Sequence, residues 1–216
     1  MLSKDLIALA SIYPNVIWAC GIPWNKLGLY MEPLSGPHLI KNDLDRSEIQ
    51  KALKDNGLFF AKWTDQWDLA TPSEWWWTCC DIKDYSLDKV PSKGARRDVI
   101  LGGKKCIIKC LSPSEIVQDA YKIFYESLKS YGTDNKNLPT KSDFQKKIEA
   151  EASFHGYEPW GAYVNGQMAA FAQCRVMDDY VSINVAKSDP AYHRYSPNSI
   201  LFYSITEHYL NKRNLK

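Results

Sequence analysis

The chain has 216 residues, 45% hydrophobic and 24% charged, enough for one large domain or two small ones around a substantial core. A net charge of +2 gives no global field for nucleic acid, and no run approaches the ~20 apolar residues of a membrane span, so a cytoplasmic location is expected. The charge is uneven: residues 1–91 carry 9 Lys/Arg against 12 Asp/Glu, residues 92–216 carry 18 against 13, and the basic excess lies between Lys93 and Lys109.

Residues 1–24 open with an apolar helical or irregular segment. Leu27–Met31 reads as a strand, and Asp45–Asp55 as a helix with Ile49, Ala52 and Leu53 inward and Gly57 as its stop. Leu58–Trp63 and the unusually aromatic Trp75–Cys80 read as buried strands. The six cysteines show no CxxC spacing and no neighbouring His, so neither a metal site nor a disulfide framework is indicated, and they read as small buried hydrophobes. No linker composition separates these strands from the C-terminal half. Residues 1–91 are therefore expected to pack on the same globule as residues 92–216.

Ser92 caps a basic helix, Lys93–Leu101, with Gly102-Gly103 as its stop. A strand over 105–111 follows. Ser112-Pro113-Ser114-Glu115 is a capping box opening a helix over 113–130, with Ile116, Val117, Ala120, Phe124 and Leu128 inward. Thr140 caps a further helix to about 154. Three strands come next, 159–165, 167–177 and 179–187, joined by Asn165-Gly166 and Asp178-Asp179 turns. Ser196-Pro197 then starts a helix with Leu201, Ile205, His208 and Tyr209 on one face. A meander feeding a helix N-terminus presents backbone amides to an anion.

The order β-α-α-β-β-β-α over residues 105–213 resembles the first part of the GNAT-superfamily acyltransferase fold, an α/β (α+β) fold with a mixed, mainly antiparallel sheet and flanking helices. The pieces SKGARRDVILGGKKCIIKCLSPSEIVQDAYKIFYES, GAYVNGQMAAFA and SPNSILFYSITEHYL are similar to the Fem family of peptidoglycan-bridge aminoacyltransferases and their bacterial relatives. The resemblance covers residues 92–216. It implies acyl or aminoacyl transfer to an amine, from acyl-CoA or aminoacyl-tRNA, with no metal, in cell-envelope or small-molecule modification. The acceptor is then a small molecule or cell-wall precursor, with tRNA a possible partner. The same fold stripped of catalysis, serving as a binding or scaffold module, is the alternative. The fold normally continues past the cofactor helix, so residues 92–216 read as a domain incomplete at its C-terminus.

The resemblance places the cofactor pyrophosphate against Arg194, Tyr195, Ser196, Asn198 and Ser199. This loop lacks the glycines that let backbone approach phosphate closely. The donor carbonyl would be polarised by a backbone N–H between Ile183 and Ala186. His193 and Asn184 are the catalytic candidates, though His193 also reads as an exposed loop residue and Asn184 as a solvent-facing one. Arg96 and Arg97 either grip a substrate phosphate or form a solvated basic face. Trp75, Trp76 and Trp77 line a core strand or a stacking surface.

Overall fold

The computed structural model describes residues 3–36, 40, 44–64, 78–130, 132, 138–213 and 215. It divides into two compact units, Met1–Trp77 and Thr78–Lys216.

In the first unit, helix α1 (Lys4–Ser11) is capped by the Ser3 side chain and precedes strands β1 (Val16–Ala19), β2 (Ile22–Leu27) and β3 (Tyr30–Pro33). Two-residue turns join the strands. Cys20-Gly21, at φ 52° and 71°, forms the first, and Gly28-Leu29 the second. The expected strand over Leu27–Met31 is therefore a hairpin tip, with Leu29 exposed and Gly28 supplying the positive φ. Helix α2 (Arg46–Asp55) starts on an Asp45 cap and buries Ile49. Of the expected strand over Leu58–Trp63 only β4 (Phe60–Ala61) forms, parallel to β3. Phe59 and Phe60 are exposed, so an apolar run that reads as buried lies at the surface. Trp24, fully buried with its ring N–H on Ala19 O (3.0 Å), centres a core with Ile17, Met31 and Ile49. Trp75, Trp76 and Trp77 lie outside the described residues, and Thr78–Cys80 are not strand.

The second unit begins at Thr78 rather than at 92, because the segment before helix α3 (Lys93–Lys105) packs into it. Tyr85 N–H donates to Asn211 Oδ1 (2.8 Å), Asn211 Nδ2 donates to Tyr85 O (2.7 Å), and Val90 is buried. Helix α3 runs through Gly102-Gly103 instead of stopping there. A Cβ on Gly102 would lie 2.6 Å from Ile200 Cγ2 and 2.9 Å from Ser196 O. Close helix packing, not chain reversal, requires this glycine.

Strand β5 (Ile107–Cys110), helices α4 (Pro113–Ser130) and α5 (Lys141–Ala152), strands β6 (Tyr157–Val164), β7 (Gln167–Val176) and β8 (Val181–Ser188), and helix α6 (Pro197–Glu207) follow in the expected order. The sheet is antiparallel throughout, in the order β5-β6-β7-β8. Asn165-Gly166, at φ 50° and 79°, makes the two-residue turn between β6 and β7. Helix α4 is capped as its sequence implies, Glu115 Oε2 accepting from Ser112 N–H (2.7 Å) and Ser112 Oγ from Glu115 N–H (3.3 Å). Its inner stripe is Ile116, Ala120, Ile123 and Ser127, turned slightly from the expected one.

Helices α4 and α5 cover one sheet face, where Ile116, Ile123, Phe144, Ile148 and Phe171 pack together. Helix α6 covers the other, seating Leu201 and Ile205, with Tyr209 of the π-helical turn His208–Lys212 that continues it, on Ala162, Ala170, Ala172 and Cys174. The small residues on β7 let α6 approach closely, and each fully buried Leu or Ile contributes ~2 kcal/mol. Edge strand β5 leaves Ile107 and Cys110 exposed. Of the six cysteines, none of them in a disulfide, only Cys174 is buried, so the reading of them as buried hydrophobes holds for that one alone.

Two bulges interrupt the pairing. Ala169 has no partner between Ala162↔Ala170 and Tyr163↔Met168, and Asn184 has none between Gln173↔Val185 and Cys174↔Ile183. Each reverses the alternation of faces. Val181 and Ile183 join the α6-side core, whereas after Asn184 it is Val185 that faces the α4 side. No described helix is long and apolar enough to cross a membrane.

Candidate functional site

The end of β8, the 3-10 turn Pro190–Tyr195 and the start of α6 come together around a cleft of about 280 Å3. Asp98 of α3, Ser188, His193 and Ser196–Ser199 line it. A larger groove of about 680 Å3 between α4 and α5 contains none of the expected site residues.

The connection between β8 and α6 is tied down along its length. Asp189 N–H donates to the carbonyl of the bulge residue Ala169 (2.9 Å), and Asp189 Oδ1 accepts from Ala191 N–H (2.9 Å). The Tyr192 hydroxyl bonds Gln167 Oε1, and Tyr195 O receives the Cys106 thiol (3.8 Å). Ser196 adopts the left-handed conformation, φ 52° and ψ 45°. Its side chain makes no capping bond, contrary to the N-cap role that Ser196-Pro197 suggests, because in this conformation the chain enters the helix from another direction. Pro197 has no N–H and Ile200 N–H returns to Ser196 O (3.4 Å). The N–H groups of Asn198 and Ser199 are left without partners among the described residues.

Ser188 Oγ lies 3.0 Å from His193 Nε2 and accepts from Asn198 Nδ2 (2.9 Å). Asn198 Oδ1 is buried without a partner among the described residues. Ser188 is the residue that sequence reasoning missed. A serine ending a strand carries no signal of its own. Asp98 was missed too, hidden inside a basic run.

The expected site residues divide. His193, Ser196, Asn198 and Ser199 line one cleft. Tyr195 lies beside it, and Arg194, exposed, stacks over the Tyr195 ring at 4.8 Å. Asn184 is elsewhere. With its amide turned to suit its neighbours, Asn184 Oδ1 accepts from Arg175 Nε (2.7 Å) and Nδ2 donates to Ser182 Oγ (2.7 Å). Arg175 also makes a two-pronged ion pair with Glu151 of α5 (3.0 and 2.6 Å), where burial pushes the Glu151 carboxyl up to about 7. Asn184 is the unpaired residue of the β8 bulge and does not line the cleft. Arg96 donates to Val90 O (2.5 Å), Arg97 is exposed beside Asp98 (3.6 Å), and neither lines the cleft. No described cluster of three or more His, Cys, Asp or Glu has the arrangement of a metal site.

No family model matches the sequence, and no curated protein does. Solved structures do match. The C-terminal domain (DUF2156) of a putative lysylphosphatidylglycerol synthetase from Agrobacterium fabrum aligns with TM-score 0.52 at 12% identity, over 96% of this chain and 70% of that one. A protein of unknown function from Bacteroides thetaiotaomicron aligns with TM-score 0.51 at 13% identity, over 94% and 75%. FemX aligns with TM-score 0.48 at 9% identity, over 58% of this chain and 48% of its own. At 12–13% identity the likeness to the first two is one of fold, a GNAT-like α/β arrangement with an antiparallel sheet, paired helices on one face and a single helix on the other.

Proposed function

We propose that the chain transfers an acyl or aminoacyl group to an amine, the donor being acyl-CoA or an aminoacyl-tRNA. The observation that carries this is the joint placement of two unpartnered amides, Asn198 and Ser199, and an imidazole, His193, around one cleft at the end of β8. Free N–H groups in a first helical turn favour an anion, and a donor phosphate has that charge. The bulge at Asn184 takes one residue out of the ladder, which suits a backbone N–H turned toward a donor carbonyl. Direct attack by an amine then needs only removal of its proton, a task for His193. The acceptor is a small molecule or a cell-wall precursor.

A binding or scaffold module of the same fold is the second reading. Three observations favour it: Asp98 places a negative charge in the cleft, Arg194 is engaged with Tyr195, and no glycine opens the loop. One titration decides between them. Acetyl-CoA is titrated into wild type and Arg194→Ala at low and moderate salt. Arg194 is the fixed positive charge of the loop, so its loss lowers affinity about tenfold, less at moderate salt. Equal affinity in both proteins places the phosphate away from Arg194. Absence of binding by CoA and by aminoacyl-tRNA selects the module.

A further inference from the structure

The hydrogen bonds around Ser188 link three side chains. Asn198 Nδ2 is a donor only, so Ser188 Oγ accepts from it. A hydroxyl has one proton, and the other partner of Oγ is His193 Nε2 at 3.0 Å. With one lone pair of Oγ taken by Asn198, Oγ can still either give its proton to Nε2 or accept from Nε2–H on its other lone pair, and only the first arrangement leaves a lone pair open to the cleft. In that first arrangement a neutral His193 carries its own proton on Nδ1. Ser188 is buried, 7% exposed, yet lines the cleft, and Oγ keeps a second lone pair. It ends β8, His193 sits in the turn, and Asn198 is in the first turn of α6, so one hydroxyl joins all three segments.

We propose that Ser188, oriented by Asn198, is the positioning residue that fixes His193 as the Nδ1–H tautomer with Nε2 accepting. A proton leaving an ammonium in the cleft then reaches His193 by way of the Ser188 hydroxyl. The ammonium N–H bond breaks and an O–H bond forms on Ser188. The original Ser188 O–H breaks and an N–H forms on Nε2. The products are a neutral amine with its lone pair free, an unchanged serine and an imidazolium. The step rests on the acyl-transfer reading, whereas the tautomer rests only on the three side chains.

The test reads the tautomer directly, from long-range 1H–15N correlation spectra of the full chain at a pH where the ring is neutral. His193 is assigned among the four histidines by its absence in His193→Gln. Wild type shows the Nδ1–H form. Ser188→Ala moves the ring toward Nε2–H, the form favoured in water, and Ser188→Thr keeps Nδ1–H. Asn198→Asp is the sharper variant. A carboxylate only accepts, so it draws the Ser188 proton to itself and obliges Nε2 to donate, inverting the tautomer. The helix N-terminus favours the new charge, so the fold is retained. A wild-type ring protonated on Nε2, or one indifferent to both Ser188→Ala and Asn198→Asp, overturns the proposal. If the tautomer follows the variants but no acyl donor binds, the positioning stands and acyl transfer falls. If a donor binds and the tautomer ignores them, the reverse holds.

Discussion

Helices α4 and α6 both begin with Ser-Pro, and they begin differently. At Ser112-Pro113 the serine and Glu115 bond each other's backbone N–H groups. At Ser196-Pro197 the serine is left-handed and caps nothing, and the position matching Glu115 is Ser199. The first start is closed by its own side chains. The second is supported from outside, by α3 through Gly102, and its amides are left to the cleft. A helix start is available to a ligand only where its local sequence does not satisfy it and a neighbour holds it in place.

The largest break in this comparison is Gly102→Val. The added atoms meet Ile200 and the Ser196 carbonyl, and α3 is forced off the start of α6. A loss of about 2–3 kcal/mol is expected in urea unfolding. Gly103→Ala, whose Cβ meets only Ile200 Cδ1 at 3.7 Å, gains about 0.5–1 kcal/mol as a helix-interior glycine replaced. If Gly102→Val proves as harmless as Gly103→Ala, α3 is not what supports α6.

The two serines give the next effect, with opposite signs. Ser112→Ala removes a working cap and costs about 1 kcal/mol. Ser196→Gly relieves a positive φ and stabilises by about 0.5–1 kcal/mol. Thermal unfolding of both variants checks the signs, and a destabilising Ser196→Gly would mean that the hydroxyl does cap.

The smallest effect depends on pH. Backbone and side-chain hydrogen bonds from Ser112, aided by Lys109, hold the Glu115 carboxyl at about 2, against the ordinary 4.5. A depressed folded value means stability present above about pH 4.5 and lost as pH falls through about 2. Wild type is therefore more stable than Glu115→Gln above pH 4.5, and the two converge toward pH 2. No comparable convergence is expected for Ser199→Ala, since α6 has no carboxylate there.

Local chemistry made much of this fold readable. Asn165-Gly166 tolerates positive φ, and Ser112 and Thr140 each precede a helix with an oxygen placed to cap it. Whatever depends on a distant neighbour escaped. Gly102 reads as a stop because nothing in α3 announces Ile200. Ser196 reads as a cap because its dipeptide matches Ser112-Pro113, while its left-handed backbone is set by the turn before it. Phe59 and Phe60 read as core, yet lie exposed. The candidate site was half legible: the loop residues stood next to one another in sequence, whereas Ser188 and Asp98 join them only through the ends of β8 and α3.

The tethering of the β8–α6 connection bears on binding thermodynamics. A six-residue segment ordered only on ligation would cost several kcal/mol, at about 1 kcal/mol per residue. Here Ala169, Gln167 and Cys106 already hold it. A ligand entering the cleft meets a surface whose conformational entropy has been surrendered in folding, so its association should be fast and its calorimetric entropy change small.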